Sequence, residues 1–257
     1  MSLLELQSAL AGPLRWLQHV SDRELMAVEA APDLGKRSFI SEVVRAHYSP
    51  KIQMSPAQIQ CIAGSILARG KDCNLLVFGC GYDSPLWAAI NDAGFTIFME
   101  TDPEWADRVK GLSPGLNILL YAPVGTVASA LRSVALADVP PPAALLERKW
   151  DVIVIDGPPG SKLDQPGRHL PISWTASIRQ PSADVFVHDY ERRLERIYTD
   201  RFIAPHGAPR VLIGRRDKDR TMLWSIGAAD EFYTERMRPA PPRRSNMIKQ
   251  LLRKLLG

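Results

Sequence analysis

The sequence predicts an α/β fold with a mostly parallel, doubly wound sheet and a C-terminal antiparallel strand. Short apolar runs, typical of buried strands, alternate with stretches of helical periodicity along most of the chain. These runs are apolar throughout, as expected for strands that are covered on both faces of a sheet. The last two runs are joined by a short charged turn, Arg215 to Arg220, which favours a hairpin.

The elements can be placed in order along the chain. Two short helices are expected within residues 3–30, and Ser55 and Pro56 suit the cap and first position of a helix that runs to Arg69. Strands are predicted at residues 74–78, 95–99, 117–121, 150–155, 184–187, 210–213 and 222–226. Helices are predicted at residues 85–91, from Asp102 onward, and at 126–136, 171–180 and 191–202.

Length and composition indicate one large domain with extensions. A chain of 257 residues, 46% hydrophobic, can bury a full core. We expect an N-terminal helical extension at 1–53, a Rossmann-like domain at 54–230, and a basic Pro/Arg linker with an amphipathic helix at 231–257. The net charge of +4 is mild and does not by itself favour a nucleic acid partner.

Cysteine usage and the N-terminus favour a reducing compartment. Cys61, Cys73 and Cys80 form an odd set without zinc-like spacing, so we expect small buried thiols. The N-terminus lacks the basic and apolar regions of a secretory signal, and no apolar run is long enough to span a bilayer. We therefore expect a cytoplasmic protein, with peripheral contact to a membrane as an addition.

A glycine turn follows the first predicted strand. Gly79 and Gly81 have no Cβ, so the chain can bend sharply there and a ligand can approach the backbone closely. The carboxyl ends of the strands form the ligand crevice of a doubly wound sheet. A Gly-x-Gly turn alone is a weak signal, so the prediction depends on the ends of the other strands.

The second strand ends in an acid that suits a ribose. Glu100 lies 19 positions after Gly81, and a carboxylate there can accept hydrogen bonds from both ribose hydroxyls, although it could also cap the next helix. Ser84 stands where a dinucleotide site needs its third glycine, and no phosphate loop exists. S-adenosylmethionine therefore fits better than NAD. The residues assigned to cofactor binding are Gly79, Cys80, Gly81, Asp83, Ser84, Glu100 and Asp156.

Several stretches, taken together and in order, resemble the polysaccharide methyltransferase family that includes the plant glucuronoxylan 4-O-methyltransferases. The resemblance covers residues 54–205 and is carried by residues 73–88, 98–103, 150–156, 166–168 and 184–189. It implies a Rossmann-like class I fold that uses S-adenosylmethionine to methylate a sugar hydroxyl of glucuronic acid in a polysaccharide. Two residues depart from the plant pattern: Tyr82 replaces a histidine and Thr101 replaces an acid.

Asp156, His188 and Asp189 are the candidate catalytic residues, because all three follow neighbouring predicted strands. A hydroxyl acceptor must lose its proton during methyl transfer, so we expect Asp156 or Asp189 to act as the base. His188 would orient that base or bind the acceptor, or it could be a buried structural histidine. Instead of acting as a base, Asp156 and Asp189 could hold a divalent metal that acidifies the sugar hydroxyl, in addition to S-adenosylmethionine. The spacing does not require a metal, and no metal ligand is assigned.

The predicted acceptor is a polysaccharide or oligosaccharide, and no nucleic acid partner is expected. Tyr82, Arg168 and Lys162 are assigned to substrate binding, since the two cations could clamp a uronic acid carboxylate; either could instead be a solvated loop charge. The basic apolar pattern of residues 245–257 suits an anionic membrane surface, a partner, or packing on the domain. Alternative functions are a small-molecule or RNA methyltransferase, and a non-catalytic Rossmann-like binding protein in polysaccharide biosynthesis.

Overall fold

The computed structural model describes residues 51–207, 209–216, 219–227 and 237–239, together with positions 40, 44, 48 and 49. The helices predicted within residues 3–30 and at 245–257 lie outside this part of the chain, so they stay predictions. None of the helices in the described part has both the length and the apolar character needed to cross a bilayer.

The strands of the described residues form a single sheet. Its members are β1 (Asn74–Phe78), β2 (Phe95–Glu100), β3 (Ile118–Leu120), β4 (Trp150–Ile155), β5 (Arg179–Val187), β6 (Arg210–Arg216), β7 (Asp219–Ile226) and β8 (Met237–Pro239). The α-helices are α1 (Pro56–Arg69), α2 (Ser84–Ile90), α3 (Pro103–Leu112), α4 (Val127–Arg132), α5 (Ala143–Leu146), α6 (His169–Ile178) and α7 (Arg193–Phe202).

The strand order is β3-β2-β1-β4-β5-β7-β6-β8. The pairs β1–β2, β2–β3, β1–β4 and β4–β5 are parallel. Strand β7 runs antiparallel to both β5 and β6, and β8 runs antiparallel to β6. The predicted mostly parallel, doubly wound sheet with antiparallel C-terminal pairing is confirmed, and it is the Rossmann-like class I arrangement. The strand order reverses between β1 and β4, which is where such sheets bind ligands.

Helices cover both faces of the sheet. Successive residues of β1 point to opposite faces, so Leu75 and Val77 belong to one apolar cluster while Leu76 and Phe78 belong to the other. The first cluster contains apolar residues of α1, α2 and α3, and the second contains residues of α4, α6 and α7. This three-layer packing explains why the central strands are apolar at every position.

Helix α1 begins and ends where the sequence predicts. Ser55 Oγ accepts a hydrogen bond from Gln58 N at 3.4 Å, and Gln58 Oε1 accepts one from Ser55 N at 2.9 Å. Pro56 occupies the first turn, where a missing N–H costs nothing. A reciprocal cap of this kind stabilises a helix by about 1 kcal/mol.

Several elements differ from the predictions. The predicted helix 126–136 ends at Arg132, because Ser133 is extended and its hydroxyl caps a separate 3₁₀ turn, Val134–Asp138. Strand β5 begins at Arg179, before its apolar part, because Arg179 pairs with Trp150 ahead of a register shift. Strand β8 lies within the predicted Pro/Arg linker and pairs with β6, which the sequence pattern did not indicate.

Candidate active site

An open cleft of about 540 Å³ lies at the carboxyl ends of β1, β2 and β4, where the strand order reverses. Its floor is formed by the glycine turn after β1 and by the loop after β4. Among the cofactor-binding residues that the sequence predicts, those on the cleft wall are Gly79, Cys80, Gly81, Asp83, Glu100 and Asp156.

Gly79 and Gly157 bring the two halves of the floor into backbone contact. Gly79 has a φ of +94°, and a Cβ at this position would lie 2.9 Å from Gly157 N. A Cβ on Gly157 would lie 2.6 Å from Gly79 Cα. The peptide bond between Gly157 and Pro158 is cis. Only glycine at both positions permits this approach, so the cleft floor depends on the pair.

Ser84 supports the glycine turn from inside the protein. Its side chain is fully buried and does not line the cleft. Its Oγ accepts a hydrogen bond from Gly81 N at 2.8 Å, so one amide of the turn is directed inward. The predicted contact of Ser84 with the cofactor is therefore not what the structure shows. Gly81 itself faces the cleft, and a Cβ there would meet only Asp83 Oδ1, at 3.1 Å.

Glu100 is held in one orientation at the end of β2. Its Oε2 accepts a hydrogen bond from Cys80 N at 3.1 Å, and its Oε1 accepts one from Thr101 N at 2.6 Å and one from Asp102 N at 3.0 Å. The alternative, that Glu100 caps the next helix, does not hold, because Asp102 Oδ1 caps α3 through Trp105 N at 3.1 Å. Glu100 instead joins the glycine turn to β2 along the cleft wall.

Asp83 lies between the glycine turn and Asp156. Its Oδ2 accepts a hydrogen bond from Trp87 Nε1 at 3.0 Å. Burial, followed by the nearby charge of Asp156, raises the pKa of Asp83 to about 6. A cation bound in the cleft would reverse this effect, so Asp83 is suited to bind a positively charged group.

A cluster of five charged side chains lies at the ends of β4 and β5. Asp156 Oδ1 is 2.7 Å from His188 Nδ1 and 3.2 Å from Arg168 Nη2. Asp189 Oδ2 is 2.8 Å from Arg168 Nη2 and 2.9 Å from Arg192 Nη1. The members of this charged cluster are Asp156, Arg168, His188, Asp189 and Arg192.

The charged cluster fixes the ionisation of its members. Burial alone would raise the pKa of Asp156, but the charge and hydrogen bond of His188, with the charge of Arg168, lower it. Burial would lower the pKa of His188, but the charge and hydrogen bond of Asp156 raise it. Asp156 is therefore an anion beside an imidazole that is readily protonated.

The structure separates the three predicted catalytic residues. Asp156 lines the cleft, and its side chain is 21% exposed. His188 and Asp189 are buried behind it and do not line the cleft, so Asp189 is a wrong prediction for the group that touches the acceptor. Asp189 adopts a φ of +58° at the turn after β5, which directs its carboxylate toward the two arginines.

The two predicted acceptor cations also need correction. Arg168 lines the cleft, but it is buried and its guanidinium is used by the protein: besides the two acids, it donates to His188 O at 2.6 Å and to Pro158 O at 3.4 Å. Lys162 is exposed and does not line the cleft. The cations on the wall that the sequence did not single out are Lys51 and Arg192. Arg192 could have been found, since it lies three residues after Asp189.

Tyr82 does lie on the cleft wall, as predicted. Its ring forms an edge contact with Trp105, with centroids 5.6 Å apart, and Trp105 Nε1 donates to Cys80 O at 2.7 Å. Lys51 Nζ lies 4.7 Å from the centre of the Tyr82 ring. Tyr82, Trp105 and Lys51 therefore pack together on the cleft wall, and the two aromatic rings are suited to contact the apolar face of a ligand ring.

The charged cluster does not suit a divalent metal. Asp156, His188 and Asp189 offer donor atoms within 4.8 Å of one another. However, Asp189 Oδ2 is already shared by two guanidinium groups, and His188 Nδ1 is held by Asp156. A cation placed there would face the permanent charges of Arg168 and Arg192.

Comparison with known proteins identifies the family. Residues 57–132 and 122–208 match the sequence model described as IRX15/IRX15L/GXM, and together these segments make up more than half of the chain. The chain belongs to the IRX15/IRX15L/GXM family. The matched region begins in α1 and ends just after α7, so it contains β1 to β5 and most of the cleft wall.

Three relatives from Arabidopsis thaliana are similar to this chain. Glucuronoxylan 4-O-methyltransferase 1 is 29% identical over 187 residues, which is 62% of this chain and 65% of that protein. Arabinogalactan O-methyltransferase 2 is 31% identical over 171 residues, 56% of this chain and 59% of that protein. Protein IRX15-LIKE is 29% identical over 190 residues, 62% of this chain and 60% of that protein. The chain therefore matches about three-fifths of each relative's length.

Solved structures align less closely. The N-methyltransferase NodS from Bradyrhizobium japonicum aligns with a TM-score of 0.43 and 14% identity, over 66% of this chain and 93% of that chain. Likeness at this level carries no argument about the site. The assignment of the fold depends on the strand order and directions of this chain, and the family assignment depends on its sequence.

Proposed function

We propose that this protein is an S-adenosylmethionine-dependent O-methyltransferase that acts on a sugar hydroxyl of a polysaccharide, with glucuronic acid as the acceptor residue. One observation carries the proposal: the glycine turn, the ordered carboxylate of Glu100 and the carboxylate of Asp156 line a single cleft. The names of family members support it, since they include methyltransferases of glucuronoxylan and arabinogalactan.

The cofactor half of the cleft suits a nucleoside without phosphates. Glu100 would accept a hydrogen bond from a ribose hydroxyl, because it lines the cleft and its Oε2 accepts a single backbone hydrogen bond. Asp83, whose pKa is raised by burial and by Asp156, would bind the ammonium group of the methionine part. When bound, S-adenosylmethionine supplies a sulfonium methyl group for in-line displacement.

Asp156 is the group that we assign to the acceptor hydroxyl. Its Oδ1 is held by His188 and Arg168, and no hydrogen bond to its Oδ2 is formed by the described residues. A carboxylate with a lowered pKa is a weak base toward a free hydroxyl. It would orient the hydroxyl and take the proton as the new oxygen–carbon bond makes that oxygen strongly acidic.

Three members of the charged cluster, Arg168, His188 and Asp189, act on Asp156 rather than on substrate. His188 fixes Oδ1 from behind, and Arg168 holds both Asp156 and Asp189 while it binds the carbonyl oxygens of Pro158 and His188. Orienting a reacting group in this way reduces the entropic part of the barrier. We therefore assign Arg168, His188 and Asp189 as positioning residues.

A labelled-methyl transfer assay tests the proposed function. The acceptors are a xylo-oligosaccharide that carries glucuronic acid, a neutral xylo-oligosaccharide and RNA, each with S-adenosylmethionine as donor. We expect transfer to the uronic acid acceptor alone. Transfer to RNA would establish the RNA methyltransferase alternative. Binding of the donor without transfer to any acceptor would establish the non-catalytic alternative, and Protein IRX15-LIKE shows that the family includes members whose names state no activity.

A further inference from the structure

We propose that Arg192 binds the carboxylate of the acceptor sugar and thereby sets the preference for a uronic acid over a neutral sugar. This inference rests on the proposed function and adds to it the residue that recognises the acceptor. Arg168, the arginine that the sequence favoured for this contact, is used within the protein. Arg192, by contrast, is partly exposed on the cleft wall, and its guanidinium forms one ion pair, with Asp189, among the described residues.

Arg192 is accessible from the cleft. It lies on the cleft wall, and its side chain is 29% exposed, whereas the side chain of Arg168 is 3% exposed. Among the described residues, the ion pair with Asp189 engages Arg192 Nη1 alone, at 2.9 Å. The other guanidinium donors are left for a ligand, and a guanidinium can bind a carboxylate with two parallel hydrogen bonds.

The protein holds Arg192 in place from behind. Arg192 N donates to Asp189 O at 2.9 Å, which closes the short turn between β5 and α7. Asp189 is itself buried and is anchored by Arg168 at 2.8 Å, so the ion pair with Arg192 has a fixed base. An arginine restrained before the ligand arrives loses less side-chain freedom on binding.

Asp156 and Arg192 lie on the wall of the same cleft, as the recognition of one uronic acid residue by both requires. The carboxylate of that sugar is attached to the ring carbon next to the one that carries the 4-hydroxyl, so the groups that recognise them must be neighbours. Arg192 is close enough to Asp156 for its charge to lower the pKa of that acid, although burial and His188 act more strongly. Lys51, by contrast, lies against Tyr82 at the glycine turn.

Kinetics of Arg192→Gln and Arg193→Gln test the inference. Arg193 is the matched control, because it is the next residue, carries the same charge, is exposed and does not line the cleft. The acceptors are the glucuronic acid oligosaccharide and its carboxyl-reduced form. For Arg192→Gln we expect KM to rise roughly 10- to 100-fold for the acidic acceptor, as for loss of charged hydrogen bonds, and to change much less for the reduced acceptor. Arg193→Gln should leave both unchanged.

A lysine variant and a binding measurement complete the test of Arg192. Arg192→Lys keeps the charge but not the two-pronged contact, so it should recover part of the affinity. An equal loss on both acceptors, or an unchanged KM for the acidic one, would overturn the inference. If the wild-type protein methylates neither acceptor, the proposed function fails. The role of Arg192 is then tested by calorimetric binding of the acidic oligosaccharide in the presence of S-adenosylhomocysteine. Binding that Arg192→Gln abolishes supports this role, whereas unaffected or absent binding refutes it.

Discussion

Asp156 and Asp189 carry the same functional group but have different surroundings. Asp156 reaches the cleft while its Oδ1 is held by His188 and Arg168. Asp189 is buried between Arg168 and Arg192 and has no access to a ligand. Replacing each acid by its amide should therefore produce different effects, one on turnover and one on stability.

Asp156→Asn should lower kcat at least 100-fold, because the amide cannot accept the hydroxyl proton. The Kd for S-adenosylmethionine should stay within about tenfold of the wild-type value, since Glu100 and the glycine turn remain. Calorimetry and labelled-methyl transfer measure the two quantities. A variant that keeps near-normal turnover would remove Asp156 from the mechanism.

Asp189→Asn should lower the free energy of unfolding by roughly 3 kcal/mol, because Arg168 would stay buried without one of its two carboxylates. Urea denaturation followed by fluorescence measures the change. Asp164→Asn is the control: it removes the same charge from an exposed position, and its effect should stay within about 0.5 kcal/mol. Equal effects of the two substitutions would show that the buried ion pairs contribute little.

Asp83→Asn should stabilise the ligand-free protein at neutral pH. Because burial and Asp156 raise the pKa of Asp83 from 3.8 to about 6, the folded protein holds this proton more tightly than the unfolded chain does. Wild-type stability therefore falls as pH rises between these two values. The gain in Tm for Asp83→Asn should grow from pH 4 to pH 6 and then stay level, while donor affinity falls. A gain independent of pH would contradict the assignment.

At the scale of elements, the turn after β1 separates a structural glycine from a ligand-facing one. Gly79 has no room for a Cβ, whereas a Cβ on Gly81 would meet only a flexible carboxylate. Gly81→Val should therefore fold with a Tm near that of the wild type but lose binding of S-adenosylmethionine in calorimetry. Gly111→Ala, in open space on α3, is the control and should keep full binding. Retained donor binding in Gly81→Val would mean that the cofactor lies elsewhere.

The sequence predicts elements well where local and tertiary preferences agree. The cap formed by Ser55 and Pro56 and the apolar run of β1 give correct boundaries, because each is encoded by neighbouring residues. The first residues of β5 include exposed polar positions, and β8 lies at the sheet edge in a Pro/Arg stretch, so neither has a strand-like pattern. Their pairing depends on the neighbouring strand.

The site residues also divide into those that local sequence predicts and those that depend on tertiary contacts. The sequence correctly places Glu100 and Asp156 on the cleft, because residues at the carboxyl ends of parallel strands share one edge. It does not distinguish Arg168 from Arg192, since both follow strands and carry the same charge. Which guanidinium turns inward depends on the carbonyl groups of Pro158 and His188, and these meet only in the folded chain.

At the scale of the whole molecule, the C-terminal residues 245–257 are predicted to bind an anionic surface. The sequence of residues 245–257 combines six apolar residues with three basic ones, as in helices that bind anionic surfaces. We predict that the protein co-sediments with vesicles rich in anionic lipid, and that removal of residues 245–257 abolishes this. Sedimentation that persists without the segment, or that requires no anionic lipid, would contradict the prediction.

The contact between Gly79 and Gly157 has an evolutionary consequence. The two residues are 78 positions apart in the chain, yet each fills the space that a β-carbon on the other would need. A larger residue at one position cannot be compensated at the other, because nothing smaller than glycine exists. Homologues that retain this spacing between β1 and β4 should therefore keep both glycines together, even where the side chains that select the acceptor have diverged.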